Sequence, residues 1–289
     1  VSSHPVPLTN LAKLYWPADG ITKGDLIGYD EQLAPVLLPY LVGRPVTVRV
    51  YPSGVEGPGY YRRDRPAKAP EWLRGVDYRL ETTGAISCLL LVDDVAGLLW
   101  LANRGAIEWH PWTSRLPHLA TPDQAIFDLD PGDQAGFTSV LQAARLLHQE
   151  LERLGLRGYP KTSGGRGLHV YLPIAPSYRY EQVRGWVKNL GEKLAAANPS
   201  LIASAGGATH RGRRIAVDYA QNSIGRNAAA PYTVRARPGA PVSTPLTWDE
   251  VDDDALDPSD FTLATVPARV ARLGDLFAPT LRADQKLPV

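Results

Sequence analysis

Gln124 to Pro131 reads Q-A-I-F-D-L-D-P, and the fold follows from how this stretch is interpreted. Ala125, Ile126 and Phe127 make a short apolar run that ends on two carboxylates, Asp128 and Asp130, with Pro131 directly behind them. In a strand, residues two apart share a face, so both carboxylates project together from the end of a buried strand. Two close anions repel unless a cation lies between them, and a hard divalent ion with oxygen ligands is the usual partner. The stretch therefore predicts half of a metal site. D-x-D alone is a short motif, and the chain holds a second, Asp252 and Asp254, in W-D-E-V-D-D-D-A-L-D. No apolar strand delivers that pair, which reads as a solvated loop or a helix start.

Downstream, Phe137, Val140, Leu141, Ala144, Leu147, Leu151 and Leu154 mark the buried stripe of an amphipathic helix that Gly155 ends. Gly158 to Ile174 then predicts two strands joined by a glycine turn, Ser163 to Gly167. Leu168, Val170 and Leu172 take the core face of the second strand, which leaves His169 on the other face with Gly167 and Tyr171. Turn amides, a hydroxyl, Arg166 and His169 together suit a phosphate cradle; a plain hairpin is the alternative. The lysine-serine ending and following helix of a Walker loop are missing. A second helix carries Val183, Trp186, Val187, Leu190 and Leu194 and stops near Asn198-Pro199. Ile215 and Val217 alternate into a strand ending at Asp218. Its isolation among arginines predicts a third metal ligand or a buried ion pair.

Upstream, Thr22 and Asp25 have capping-box spacing, and Leu33, Val36, Leu37, Tyr40 and Leu41 continue a helical period closed by Gly43. Pro35 and Pro39 inside that pattern predict a kink or two consecutive helices. Lys23 falls in the first turn, where a lysine is poorly matched to the helix dipole. Either an anion such as phosphate shares the site or the lysine is solvated. Val46 to Tyr51 alternates like a strand. After a Gly- and Pro-rich loop come Tyr60, Tyr61, Arg62 and Arg63, which suit base stacking and backbone phosphate contact, unless one tyrosine is core. Ile86 to Val92 predicts a buried strand, and Asp93 or Asp94 a cap for a helix through Asn103. His110 lies between aromatics near another strand end.

At 289 residues the chain suits one large or two intimately packed lobes. No run approaches the roughly 20 apolar residues of a membrane span, and no basic segment followed by an apolar one opens the sequence. No membrane partner is expected. The single cysteine, Cys88, is expected to be a small buried hydrophobe, which fits a cytoplasmic setting. A net charge of +1 excludes a uniformly basic nucleic-acid binder. The charge is segregated, however. Ser204 to Arg237 holds six arginines, Arg211 among them, against one acid, and Asp249 to Asp260 holds seven acids and no base. Segregation of this kind builds a positive surface on a near-neutral chain.

F-D-L-D-P, S-G-G-R-G-L-H and V-D-Y-A-Q-N, in that order, resemble the polymerase (primase-polymerase) domain of bacterial ATP-dependent DNA ligase D, in the archaeo-eukaryotic primase superfamily. The resemblance implies an α/β (α+β) primase-like core of two sheets flanked by helices, with an RRM-like catalytic lobe. The expected division is a single domain over 1–289: an N-terminal lobe to about 120, a catalytic lobe over 121–245 and a tail over 246–289. It implies that Asp128, Asp130 and Asp218 hold two Mn2+ or Mg2+ ions with a bound NTP or dNTP. His110, Ser163, Arg166, His169, Gln221 and Arg235 would surround that nucleotide. Asn10, Lys13 and Lys23 would grip a DNA 5′-phosphate, Tyr60 and Tyr61 would stack on template or base, and Arg63 and Arg211 would contact the DNA backbone. Arg166 stands where many relatives have Lys, and Tyr60-Tyr61 where they carry Phe-Phe. The implied activity is template-dependent nucleotide addition, favouring ribonucleotides, at gapped or 3′-overhanging ends during non-homologous end joining. A ligase domain and the Ku end-binding protein would be partners, in a nucleoid-associated setting. The alternatives are a stand-alone primase-polymerase, a manganese-dependent D-x-D glycosyltransferase, which would not need Asp218, and a catalytically silent end-binding module.

Overall fold

One capped helix and one three-stranded sheet organise the N-terminal part of the chain. The computed structural model describes residues 4–80, 83–204, 212–226 and 228–288. In it Val1–Trp112, Ala228–Val242 and Phe261–Arg272 form a first unit, and Thr113–Asn227, Ser243–Asp260 and Leu273–Val289 a second.

In the first unit β1 (Leu14–Trp16) pairs with β2 (Ile21–Thr22), which leads into α1 (Lys23–Leu37). The capping box is present: Thr22 accepts from the Asp25 amide, and Asp25 accepts from the Thr22 amide. Pro35 lies inside α1, and a short 3-10 turn, Leu38–Tyr40, follows it, so the proline-rich pattern yields two consecutive helices. Gly43 closes them with φ +70. β3 (Val46–Val50) lies between β4 (Tyr60–Arg62) and β7 (Ala106–Pro111) in a three-stranded sheet, while β5 (Gly75–Arg79) and β6 (Ile86–Leu90) form a separate ribbon. Asp94 caps α2 (Val95–Ala102), and its carboxylate accepts from the Gly97 amide.

Two expectations fail on the ribbon. Ile86 is 64% exposed and Cys88 is exposed as well, so neither the first half of β6 nor the cysteine is core. β6 has β5 as its strand partner, and only its inner end, Leu89 and Leu90, is buried. The tyrosines differ too: Tyr60 and Tyr61 are both exposed, so neither is core. β4 is an edge strand carried by β3.

The second unit contains β8 (Gln124–Pro131), α3 (Phe137–Arg153), β9 (Tyr159–Thr162), β10 (Leu168–Pro173), α4 (Tyr180–Ala197), β11 (Ile202–Ala203), β12 (Ile215–Asp218) and α5 (Trp248–Val251). Its sheet order is β11-β12-β8-β10-β9. Without the short β11, the path β8-α3-β9-β10-α4-β12 is a split β-α-β arrangement, the layout expected of an RRM-like lobe. Both helices pack on β8 and β12. Leu129, Leu168, Val170 and Leu172 are fully buried with Val140, Leu147 and Val187 of the helices. The opposite parity, Asp128, Asp130 and His169, is therefore left on the other face.

Two devices hold the centre of this sheet. β10 runs close to β8 because residue 167 is glycine; a Cβ there would come within 2.7 Å of the Leu129 carbonyl oxygen. Where β12 ends, the buried Asn222 side chain takes over its pairing. It accepts from the Ile126 amide at 2.8 Å and donates to the Ile126 carbonyl at 2.7 Å. A helix, Val266–Leu273, lies near the C-terminus. No helix among the described residues is long and apolar enough to cross a membrane.

Asn222→Ala leaves a buried amide and carbonyl of Ile126 without these partners. We expect it to lower the free energy of unfolding by about 2–4 kcal/mol, read from urea denaturation.

Candidate active site

Antiparallel pairing places facing residues on the same side of a sheet, and here it assembles a polar row. Asp218 on β12 and His169 on β10 both stand directly opposite Asp128 on β8, and Lys161 on β9 stands opposite His169. Asp130 lies two residues beyond Asp128, opposite Ala216. Asp128, Asp130 and Asp218 each present one carboxylate oxygen, and these oxygens all lie within 4.8 Å of one another. Asp128 is buried and the other two are half-buried. The D-x-D pair and the carboxylate about 90 residues later thus meet, as expected. The second D-x-D does not join them: Asp252 and Asp254 face Arg145, at 3.5 and 2.7 Å.

The environment of Asp128 decides what the triad can hold. Burial pushes its carboxyl up, but His169, Lys161 and Gln221 more than offset this and hold it below the usual aspartate range. Its Oδ1 is buried and faces His169 Nε2 at 3.3 Å, and its Oδ2 accepts from Gln221 Nε2 at 3.4 Å. A buried carboxylate beside two further carboxylates, with an oxygen of each within 4.8 Å of the others, is a hard all-oxygen donor set that fits Mg2+ or Mn2+. Asp218 Oδ1 accepts from the Ala220 amide, which fixes its orientation.

Lys161 had no place in the sequence reading. It is fully buried, with Nζ 2.9 Å from His169 Nδ1 and donating to Ser243 Oγ at 2.6 Å. An ammonium has donors only, so it leaves Nδ1 as the acceptor and the ring proton on Nε2, the nitrogen facing Asp128. The Ser163–Gly167 turn is tight: Ser163 N donates to Gly167 O at 3.0 Å, and Ser163 Oγ accepts from Gly167 N at 3.2 Å. Arg166 Nη2 donates to the carbonyls of Gly132, Asp133 and Ala135, so it ties down the loop after β8.

His110 and Arg235, expected beside the nucleotide, belong to the first unit. There they meet on Glu108, a buried residue that the sequence reading passed over. His110 Nε2 lies 3.0 Å and Arg235 Nε 3.1 Å from Glu108 Oε2, while Ala236 N donates to Oε1 at 3.0 Å and Arg49 Nη1 lies 3.5 Å from it. Burial pushes the Glu108 carboxyl up, but His110, Arg235 and the Ala236 amide prevail and bring it down from 4.5 to about 2. Tyr61 stands edge-on to His110, with ring centroids 6.0 Å apart, and the Arg49 guanidinium lies 5.4 Å from the Tyr61 ring. Arg63 pairs with Asp64 at 3.1 Å on the surface. Arg211 lies outside the described residues.

Asn10, Lys13 and Lys23 also come together in the first unit. Lys13 N donates to Asn10 O, and Lys23 N to Lys13 O at 2.8 Å. Lys23 is not solvated: it is 3% exposed, and its Nζ donates to Thr9 O at 2.6 Å and Asn103 Oδ1 at 2.7 Å. Burial, then Lys13 and Arg104, lower its affinity for a proton.

Because the Glu108 carboxyl is held below its unfolded value, its contribution to stability is present above about pH 4.5 and lost as pH falls toward about 2. Over that window wild type should lose about 3 kcal/mol more than Glu108→Gln does, read from urea unfolding at stepped pH.

The family model of the LigD primase-polymerase domain matches residues 22–277. The chain is 34% identical to the "Multifunctional non-homologous end joining DNA repair protein LigD" of Mycobacterium tuberculosis strain H37Rv, over 100% of this chain and 38% of that protein. It is 31% identical to the "Bifunctional non-homologous end joining protein LigD" of Bacillus subtilis, over 99% of this chain and 46% of that protein. The chain thus spans less than half the length of these relatives. Among solved structures, the polymerase domain from Mycobacterium tuberculosis ligase D in complex with DNA is similar, with a TM-score of 0.90 and 32% identity over 98% of this chain and 99% of that one. The chain belongs to the LigD primase-polymerase family.

Proposed function

We propose that this chain is a template-dependent nucleotidyltransferase that adds nucleotides to a primer 3′ end, filling gaps or overhangs during non-homologous end joining. The meeting of Asp128, Asp130 and Asp218 on one sheet face carries this reading. The names of the relatives and the DNA held by the structural neighbour support the same setting. Ribonucleotides are the favoured substrate, and a ligase domain and a Ku-type end binder are the partners.

Asp128, Asp130 and Asp218 would hold a pair of Mn2+ or Mg2+ ions, which would supply Lewis acidity toward a primer hydroxyl and a triphosphate. The chain's own residues do the rest. Asp128, with its carboxyl held down by His169 and Lys161, is ionised throughout the neutral range and ready to ligate. His169, with its proton on Nε2, offers a donor at the same edge, and the Ser163–Gly167 turn adds a hydroxyl beside it. These groups stabilise charge and form no covalent bond to substrate. Lys13 and Lys23 act on a different group, the 5′-phosphate of the downstream end. A glycosyltransferase reading loses its ground, because Asp218 completes the cluster that such an enzyme would not need.

Asp128→Ala should abolish primer extension on a gapped duplex while leaving binding of 5′-phosphorylated DNA within about twofold of wild type. Retained extension would defeat the assignment. Lys23→Ala should weaken binding of 5′-phosphorylated ends by about tenfold or more and leave bare ends unaffected. An unchanged phosphate preference in filter binding would remove Lys23 from that role.

A further inference from the structure

A cavity of about 110 Å3 opens in the first unit beside β4. Its floor is apolar, made by Val50, Leu101 and Ala106, all buried. Two aromatic side chains, Tyr60 and Trp100, line it, and Arg62, Lys68 and Arg104 add three cations. None of the described residues lining it is acidic.

Two of the cations are held in place. The Arg104 guanidinium lies 3.5 Å from the centroid of the Trp100 ring and donates to the Trp100 carbonyl. Arg62 lies 5.5 Å from the Tyr60 ring and donates to the Tyr60 hydroxyl. Lys68 sits on a loop that Arg65 ties down through the carbonyls of Leu73, Ala69 and Pro70. Fixing two like charges beside an apolar hole, with Lys68 a third at its rim, is unfavourable unless an anion completes it. Aromatic faces over an apolar floor select a flat ring, and three cations select phosphate. A nucleotide carries both features. Arg104 also acts electrostatically on Lys23, so positive charge continues from the cavity to the Lys13–Lys23 cluster. A polyanion fits that continuity better than a free mononucleotide does.

We propose that this cavity takes the base of one unpaired nucleotide from a single-stranded DNA overhang, with Arg62, Lys68 and Arg104 holding the adjoining phosphate. The inference rests on the reading of the chain as a DNA-end polymerase, and names where an unpaired base of its substrate goes.

The test is equilibrium binding, by fluorescence anisotropy, of a labelled duplex with a short 3′ overhang. Each overhang nucleotide in turn is replaced by an abasic residue, which keeps the backbone charge. One position should respond: loss of its base should weaken wild-type binding about tenfold. In Trp100→Leu that sensitivity should vanish. Since Trp100 is buried, Tyr60→Leu on the exposed strand provides a second variant, which should reduce the same sensitivity. Lys68→Ala should weaken every probe alike and lower the dependence on salt.

A flat abasic scan in wild type overturns the proposal, as does a base effect that persists unchanged in both aromatic variants. Displacement of the overhang by millimolar free ATP without metal would assign the cavity to a mononucleotide and overturn it too. Primer extension on the same probes separates the two levels. Extension with a flat scan removes the cavity alone, whereas neither binding nor extension removes the polymerase reading with it.

Discussion

Four facing residues on four adjacent strands, Lys161, His169, Asp128 and Asp218, depend on one another through register. Side chains alternate faces along a strand, so a slip of β8 by one residue would turn both aspartates toward the helices and expose Phe127 and Leu129. Those two are fully buried, and each large apolar side chain returned to water costs about 1.5–3 kcal/mol. Apolar burial on the helix side thus fixes the position of the polar groups on the other side. Gly167 and Asn222 act at opposite flanks of β8 toward the same end. One permits close approach by β10, and the other continues pairing after β12 stops.

The row itself is a poor source of stability. Lys161 is fully buried and Asp128 nearly so, and removing charges from water commonly costs as much as their attraction returns. A hydrophobic row of similar volume would hold such a sheet at least as well. What the charged row provides is directional: Lys161 orients the His169 proton, and both lower the Asp128 carboxyl. The three carboxylates then repel across a few ångströms. On the proposed function, this mutual repulsion is what a bound divalent ion would relieve.

The parts legible in the sequence were those with a short-range signature. Alternation ending in F-D-L-D, the amphipathic helix after it, the glycine turn and the Thr22–Asp25 box all depend on neighbours within a few residues. The structure places each of them. Lys161 and Glu108 were not legible, because their partners lie far away in sequence: Ser243 is 82 residues from Lys161, and Ala236 128 from Glu108. Nothing local distinguishes a lysine that will donate to a distant serine from one that will face water. Lys23 shows the same limit, since its burial is produced by Thr9 and Asn103. Cys88 and Ile86 fail in the other direction: an apolar run predicts burial only if something covers it, and the outer half of a two-stranded ribbon lacks cover.

A formal charge of +1 conceals a strong segregation of charge. In the second unit three carboxylates gather, a set that repels an oxyanion until a divalent ion intervenes. In the first unit Lys13 and Arg104 act electrostatically on Lys23, a set that on the proposed function would meet an oxyanion directly. The two chemistries discriminate between ligands of the same charge. On the proposed function, a triphosphate accompanied by its metal would satisfy the acidic set, whereas a terminal phosphate of DNA, whose charge is not neutralised by such a metal, would satisfy the basic one. A uniformly basic protein would bind both alike and would confuse substrate with scaffold. Segregating the charges, at almost no net cost in total charge, would let one chain tell them apart on that reading, and Glu108 shows cations held by a buried acid. It gathers His110, Arg235 and Arg49 around a single buried carboxylate, so that these cations stand in fixed positions and only part of their charge faces outward.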